Sequence, residues 1–229
     1  MSQSLPSDPN TARPTAPRWP VVVFDLDGTL ADTVNLIVES YQHAFRTVIG
    51  HEEDPAVIRS WIGRPLIQAF REHSADAADE LYSTYLQWNS ENTERLIRGF
   101  DGAPEMLAAL RDAGVRVGVA TSKRRESAEQ AMALLGLAEH VEVLVAMEDT
   151  DQHKPDPTPL LLALERLGIR NPSRAVYVGD AVVDVLAGKA AGMDTVAVTW
   201  GAGELAALSG VRPTAVATTT AELSGILLG

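Results

Sequence analysis

Val21-Val22-Val23-Phe24-Asp25-Leu26-Asp27-Gly28-Thr29-Leu30 is the stretch that decides the fold: an apolar run, three of its four residues β-branched, ending in two carboxylates one residue apart. Continuous apolar runs of this kind suit strands buried on both faces, which belong to parallel sheets covered by helices. Strand side chains alternate with period two, so Asp25 and Asp27 start on one face. At the carboxyl edge of a sheet both can converge on one pocket. Two close carboxylates repel, and a cation between them is the natural remedy. Hard oxygen ligands suit magnesium, which prefers substrate phosphates as further ligands. The segment therefore implies a phosphate-handling site, against the duller alternative of a strand followed by an Asp-Gly turn.

Downstream of Leu30 the period changes. Val34, Ile37, Val38, Tyr41, Ala44, Phe45, Val48 and Ile49 fall at helical spacing, and helical pattern continues through 56–61, 66–73 and 77–96. Seven of the twelve aromatic residues lie between 33 and 97, which suits a small helical module with its own core. From Pro104 onward helix and strand alternate. Helices are expected over 104–113, 124–135, 157–167 and 182–191, each followed by a glycine, the usual C-terminal stop. Strands are expected over 115–120, 141–146, 175–178 and 194–199. The alternation predicts an α/β fold with a doubly wound, Rossmann-like parallel sheet. The expected division is a flexible Pro-rich tail over 1–19, a core formed by 20–32 and 98–229, and an inserted all-helical cap over 33–97.

Composition narrows the partners. Across 229 residues the net charge is −12, with 45% apolar and 22% charged residues. Such acidity argues against a nucleic-acid or anionic membrane partner bound through clustered basic residues, yet leaves room for a small phosphate ester at a local cation site. The absence of cysteine removes disulfides, thiolate metal sites and a cysteine nucleophile. The five histidines are scattered, without ligand spacing. No apolar stretch of spanning length and no h-region is visible, so a cytoplasmic location is expected. Oligomeric state has no signature here.

Three further segments complete the pattern. Val117 to Lys123 reads as a strand ending in Thr121-Ser122; His153-Lys154-Pro155-Asp156-Pro157 supplies a lysine; Val176 to Asp184 reads as a strand ending in Gly179-Asp180, with Asp184 four residues on. Together with the first decapeptide, in this order, they resemble the four motifs of the haloacid dehalogenase-like phosphatases. The resemblance covers the chain after residue 19 and is nearest to the phosphoglycolate phosphatase and bacterial pyrophosphatase branches.

That resemblance implies roles. Asp25 is the expected nucleophile, forming an aspartyl-phosphate, and Asp27 the expected general acid and base. Mg2+ would be held by Asp25, the backbone carbonyl of Asp27 and Asp180. Thr121, Ser122 and Lys154 would hold the phosphoryl oxygens, with Asp184 orienting Lys154 or a metal-bound water. Arg64, in the Trp61 to Leu66 stretch, is the candidate cap contact to substrate. The implied activity is hydrolysis of a small phosphorylated metabolite, most like phosphoglycolate. The alternatives are inorganic pyrophosphate hydrolysis, sugar-phosphate mutation and phosphate binding without catalysis. The mutase branch usually carries Glu where this chain has Gly179. The phosphonate-cleaving branch needs a cap lysine, and none lies between 33 and 97.

Overall fold

The computed structural model describes residues 17–229. Six parallel strands form the central sheet: β1 (Val21–Phe24), β4 (Arg116–Ala120), β5 (Val143–Val145), β6 (Ala175–Gly179), β7 (Asp194–Val198) and β8 (Ala215–Ala217), in the order β5-β4-β1-β6-β7-β8. The strand bearing the first motif is central, with β4 and β6 hydrogen-bonded on either side. Two-residue strands β2 (Ala31–Asp32) and β3 (Arg98–Gly99) pair antiparallel where the chain leaves the core for the helical insertion and returns.

Alternation along β1 splits the core into two layers. Val22 and Phe24 pack with Leu107 and Leu110 of α5 (Ala103–Asp112), Met132 of α6 (Arg125–Leu134) and Leu223 of α10 (Thr220–Leu228). Val21 and Val23 pack on the other face with Leu160 and Leu164 of α7 (Thr158–Arg166) and Ala187 of α8 (Val182–Ala190). A shorter helix, α9 (Leu205–Gly210), adds Leu208 against Val185 and Ala197. Each buried side chain of this kind contributes roughly 1.5–3 kcal/mol.

The insertion consists of α1 (Val34–Val48), α2 (Pro55–Trp61), α3 (Leu66–His73) and α4 (Ala78–Leu96). Its core is separate and aromatic: Tyr41, Phe45, Phe70 and Tyr85 are buried together, with Tyr41 ring centroids 5.0 Å from both Phe70 and Tyr85. Among the described residues no helix is long and apolar enough to cross a membrane.

Two features differ from the expectation. The proposed tail was to run through residue 19, but Trp19 is 2% exposed, packs in the β1 core and donates Nε1–H to Asp194 Oδ2 at 2.8 Å. Burying a large indole is strongly favourable, so the folded chain begins before β1; residues 1–16 of the tail lie outside the described residues. At the other end, β8, α9 and α10 extend the sheet and its covering layer beyond the last expected strand.

Candidate active site

The strand order places the ends of β1, β4 and β6 side by side, and all four motifs meet there. Asp25 follows β1, Thr121 follows β4, Asp180 follows β6, Asp184 lies in the first turn of α8, and Lys154 arrives from the loop after β5. Oxygens of Asp25, Asp180 and Asp184 lie within 4.8 Å of one another, and all three residues are buried. Against them stands one buried cation. Lys154 Nζ lies 2.9 Å from Asp25 Oδ1 and 2.7 Å from Asp184 Oδ1. It also donates to the Tyr177 hydroxyl at 3.2 Å, which donates in turn to the carbonyl of Ala120 at 2.8 Å.

Three carboxylates and one ammonium leave a surplus of negative charge in a dry place. Burial pushes Asp25 up to about 7; Lys154 opposes the rise and Asp184 adds to it. Burial likewise pushes Asp180 up to about 8, reinforced by Asp184 and Asp25. For Lys154 burial works in the opposite direction, but Asp184 and Asp25 outweigh it and hold the ammonium well above the usual lysine range. Asp25 Oδ1 has the Lys154 charge nearby but no aligned hydrogen bond. An under-satisfied oxygen among three buried carboxylates is what a hard divalent cation would complete, so Asp25 and Asp180, with Asp184 adjoining, fit such an ion.

Close packing holds these groups in place. Asp180 accepts from the Thr29 hydroxyl at 3.0 Å and the Ala202 amide at 2.7 Å. Gly28 adopts φ +79°, and a Cβ there would stand 2.4 Å from Asp180 Oδ2. Asp184 Oδ2 accepts from the Ala181 amide at 2.9 Å, so the residue both caps α8 and grips Lys154.

Asp27 stands apart from the triad. Its carboxylate accepts from the Thr33 hydroxyl at 2.7 Å and faces Lys123 Nζ at 3.0 and 3.2 Å. The role of Lys123 was not read from the sequence, although two of the only three lysines, 123 and 154, stand in motif loops. Thr121 Oγ1 accepts from the Lys123 amide at 3.2 Å, and the Ser122 hydroxyl donates to the carbonyl of Gly63 at 2.8 Å, joining the core loop to the insertion. Arg64 ion-pairs with Glu72 at 2.6 Å.

Above the carboxylates is a cavity of about 80 Å³, bounded below by Asp25, Asp27, Thr121 and Ser122 and above by the insertion. Lys123, Arg124 and Arg64 bring positive charge to its wall. Space on this scale takes on the order of half a dozen waters, which fits a compact anion.

Fold and site together define a three-layer α/β protein with an acidic centre at the carboxyl edge of its sheet, covered by a helical insertion. A model of the haloacid dehalogenase-like hydrolase family matches residues 22–198, and the chain belongs to that family. It is 37% identical over 186 residues to the pyrophosphatase PpaX of Bacillus velezensis, covering 81% of this chain and 86% of that one. The pyrophosphatase PpaX of Bacillus pumilus is 36% identical over 179 residues, covering 78% and 82%. The crystal structure of a predicted phosphatase from Clostridium acetobutylicum superimposes with a TM-score of 0.83 at 25% identity, covering 92% of this chain and 98% of that one.

Proposed function

We propose that the protein is a magnesium-dependent phosphatase acting on a small phosphorylated compound through an aspartyl-phosphate. The observation that carries this reading is the placement of Asp25, beside Asp180, Asp184 and Lys154, at the floor of a cavity whose wall includes Lys123, Arg124 and Arg64. An Asp25 carboxylate oxygen attacks phosphorus, and the bond from phosphorus to the departing oxygen breaks. Asp27, held at the cavity edge by Lys123 and Thr33, gives the departing oxygen its proton. Asp27 then takes a proton from the water that attacks the same phosphorus, releasing phosphate and restoring Asp25. Lys154, Thr121 and the Ser122 amide hold the phosphoryl oxygens through both steps. Mg2+, held by Asp25, Asp180 and the Asp27 carbonyl, would neutralise charge that builds on those oxygens. Asp184 keeps Lys154 in place.

Two substrates head the list. The motif pattern resembles phosphoglycolate phosphatases, and the relatives reported above are named pyrophosphatases. Both compounds are small and anionic, in keeping with the cavity. A mutase-like Glu at position 179 would require Asp184 to shift, because a Cβ there would stand 2.4 Å from Asp184 Cβ.

Phosphate release from pyrophosphate, phosphoglycolate and sugar phosphates, with and without Mg2+ or EDTA, tests the reading. Asp25→Asn should abolish turnover and EDTA should silence the parent. Equal turnover by parent and variant, with or without metal, would falsify it.

A further inference from the structure

The insertion carries a buried polar group that these steps leave unused. Asn89 of α4 lines the cavity yet is only 4% exposed. Its Nδ2 donates to Ser40 Oγ of α1 at 2.9 Å, and the Ser40 hydroxyl donates onward to the carbonyl of Leu36 at 2.6 Å. A serine has one hydroxyl hydrogen. With that hydrogen committed to Leu36, Ser40 can only accept, so the nitrogen of the Asn89 amide, and not its oxygen, must face α1. The orientation of the amide follows from the network.

Asn89 Oδ1 is thereby turned from Ser40. It has no hydrogen-bond partner among the described residues and is not among the side-chain atoms sealed from all access, which leaves the cavity as its outlet. The nearby wall offers no positive charge from α1 or α4: beside Asn89 it is built from Ile37, Tyr41, Tyr82, Tyr85 and Leu86. The cations Lys123, Arg124 and Arg64 come from other segments. The cavity thus presents a fixed lone pair from α4 as well as a cationic side.

We propose that Asn89 is a specificity-determining residue that accepts a hydrogen bond from a hydroxyl on the departing group, an inference that rests on the phosphatase reading. A departing phosphate that keeps one P–O–H near neutral pH, or the alcohol of a polyol phosphate, satisfies Oδ1. The carboxylate of phosphoglycolate brings only lone pairs and meets it oxygen to oxygen. Once a bound substrate has displaced the water, an acceptor left unmatched is costly, so a single group of this kind separates ligands that are otherwise alike in size and charge.

The experiment compares kcat/KM for pyrophosphate, sn-glycerol 3-phosphate and phosphoglycolate in the parent, Asn89→Leu and Ser40→Ala. The parent should favour the two hydroxyl-bearing substrates over phosphoglycolate. Asn89→Leu should shrink that preference about tenfold or more, mainly through KM, and Ser40→Ala, which frees the amide to turn, should shrink it less. Binding of the same three compounds is also measured by calorimetry in the Asp25→Asn background with Mg2+, with and without each second substitution. A parent preference for phosphoglycolate, or an equal change on all three compounds, would overturn the role of Asn89 and leave the phosphatase reading intact. No turnover of any of them by the parent would sink the phosphatase reading, while the binding ratios still decide Asn89. Should Asn89→Leu misfold, Ser40→Ala carries the comparison.

Discussion

Lys123 Nζ lies 3.0 Å from Asp27 Oδ1, with the two side chains only 10% and 13% exposed. Partly shielded pairs of this kind hold geometry more firmly than surface pairs, and removing one partner strands the other charge. Asp27 is the proposed proton donor, and such groups contribute about 10²–10⁴-fold when well placed. Lys123→Met should therefore lower kcat by roughly tenfold to a hundredfold, with Lys123→Arg recovering part of the loss. Steady-state phosphate release checks this, and an unchanged kcat in the methionine variant would remove Lys123 from the mechanism.

Gly179 closes β6 directly behind Asp184, and any Cβ there would stand 2.4 Å from Asp184 Cβ and Cγ. Something must shift, and the side chain in the way is Asp184, in the first turn of α8. Gly179→Ala should cost about 1–3 kcal/mol of stability and pull Asp184 from Lys154, with a larger effect on turnover than on folding. Thermal melting beside a phosphate-release assay separates the two effects. Full activity in that variant would mean that the Lys154–Asp184 contact is dispensable.

The legible part of this protein is what local pattern controls. Apolar runs ending in Asp25, Thr121 and Asp180 mark strands because burial on two faces demands continuous apolar side chains, and a glycine after each helix marks its end. The expected helix over 104–113 is α5 at Ala103–Asp112, and the expected strand over 194–199 is β7 at Asp194–Val198. Less legible was whatever depends on a distant partner. Strand β8 is only Ala215–Ala217, too short for a period, and its identity comes from pairing with β7. The Lys123–Asp27 contact spans 96 positions. For Asn89 the signal is periodicity: Tyr85, Asn89 and Thr93 recur every four residues on one face of α4, and all three are buried.

Trp19 is an anchor at the entrance to the fold. Its ring is buried in the β1 core, and its indole N–H reaches Asp194 at 2.8 Å. Trp19→Ala should destabilise the protein by about 3–5 kcal/mol, the usual cost of deleting a buried aromatic. Trp19→Phe keeps much of the packing and should lose about 1 kcal/mol for the hydrogen bond plus a smaller packing cost. Urea unfolding of the two variants measures both. A Trp19→Ala protein as stable as its parent would return residue 19 to the tail.

The raised carboxyls at the site predict how acidity and magnesium interact. Asp25 and Asp180 rise from 3.8 to about 7 and about 8, so between pH 4 and pH 8 the folded chain binds more protons at these positions than the unfolded chain. Metal-free stability from this source is fully present below the unfolded value and is lost as pH climbs through the folded values. Lys154, held well above its ordinary range, stays charged across that window and does not reverse the trend. A divalent ion favours the ionised carboxylates, and protons compete with it for the same oxygens. Added Mg2+ should therefore raise the melting temperature more at pH 8 than at pH 5, and Asp180→Asn should reduce that difference. Melting curves at the two pH values, with and without Mg2+, test the coupling; an equal magnesium shift at both would mean that the ion does not bind through these carboxylates.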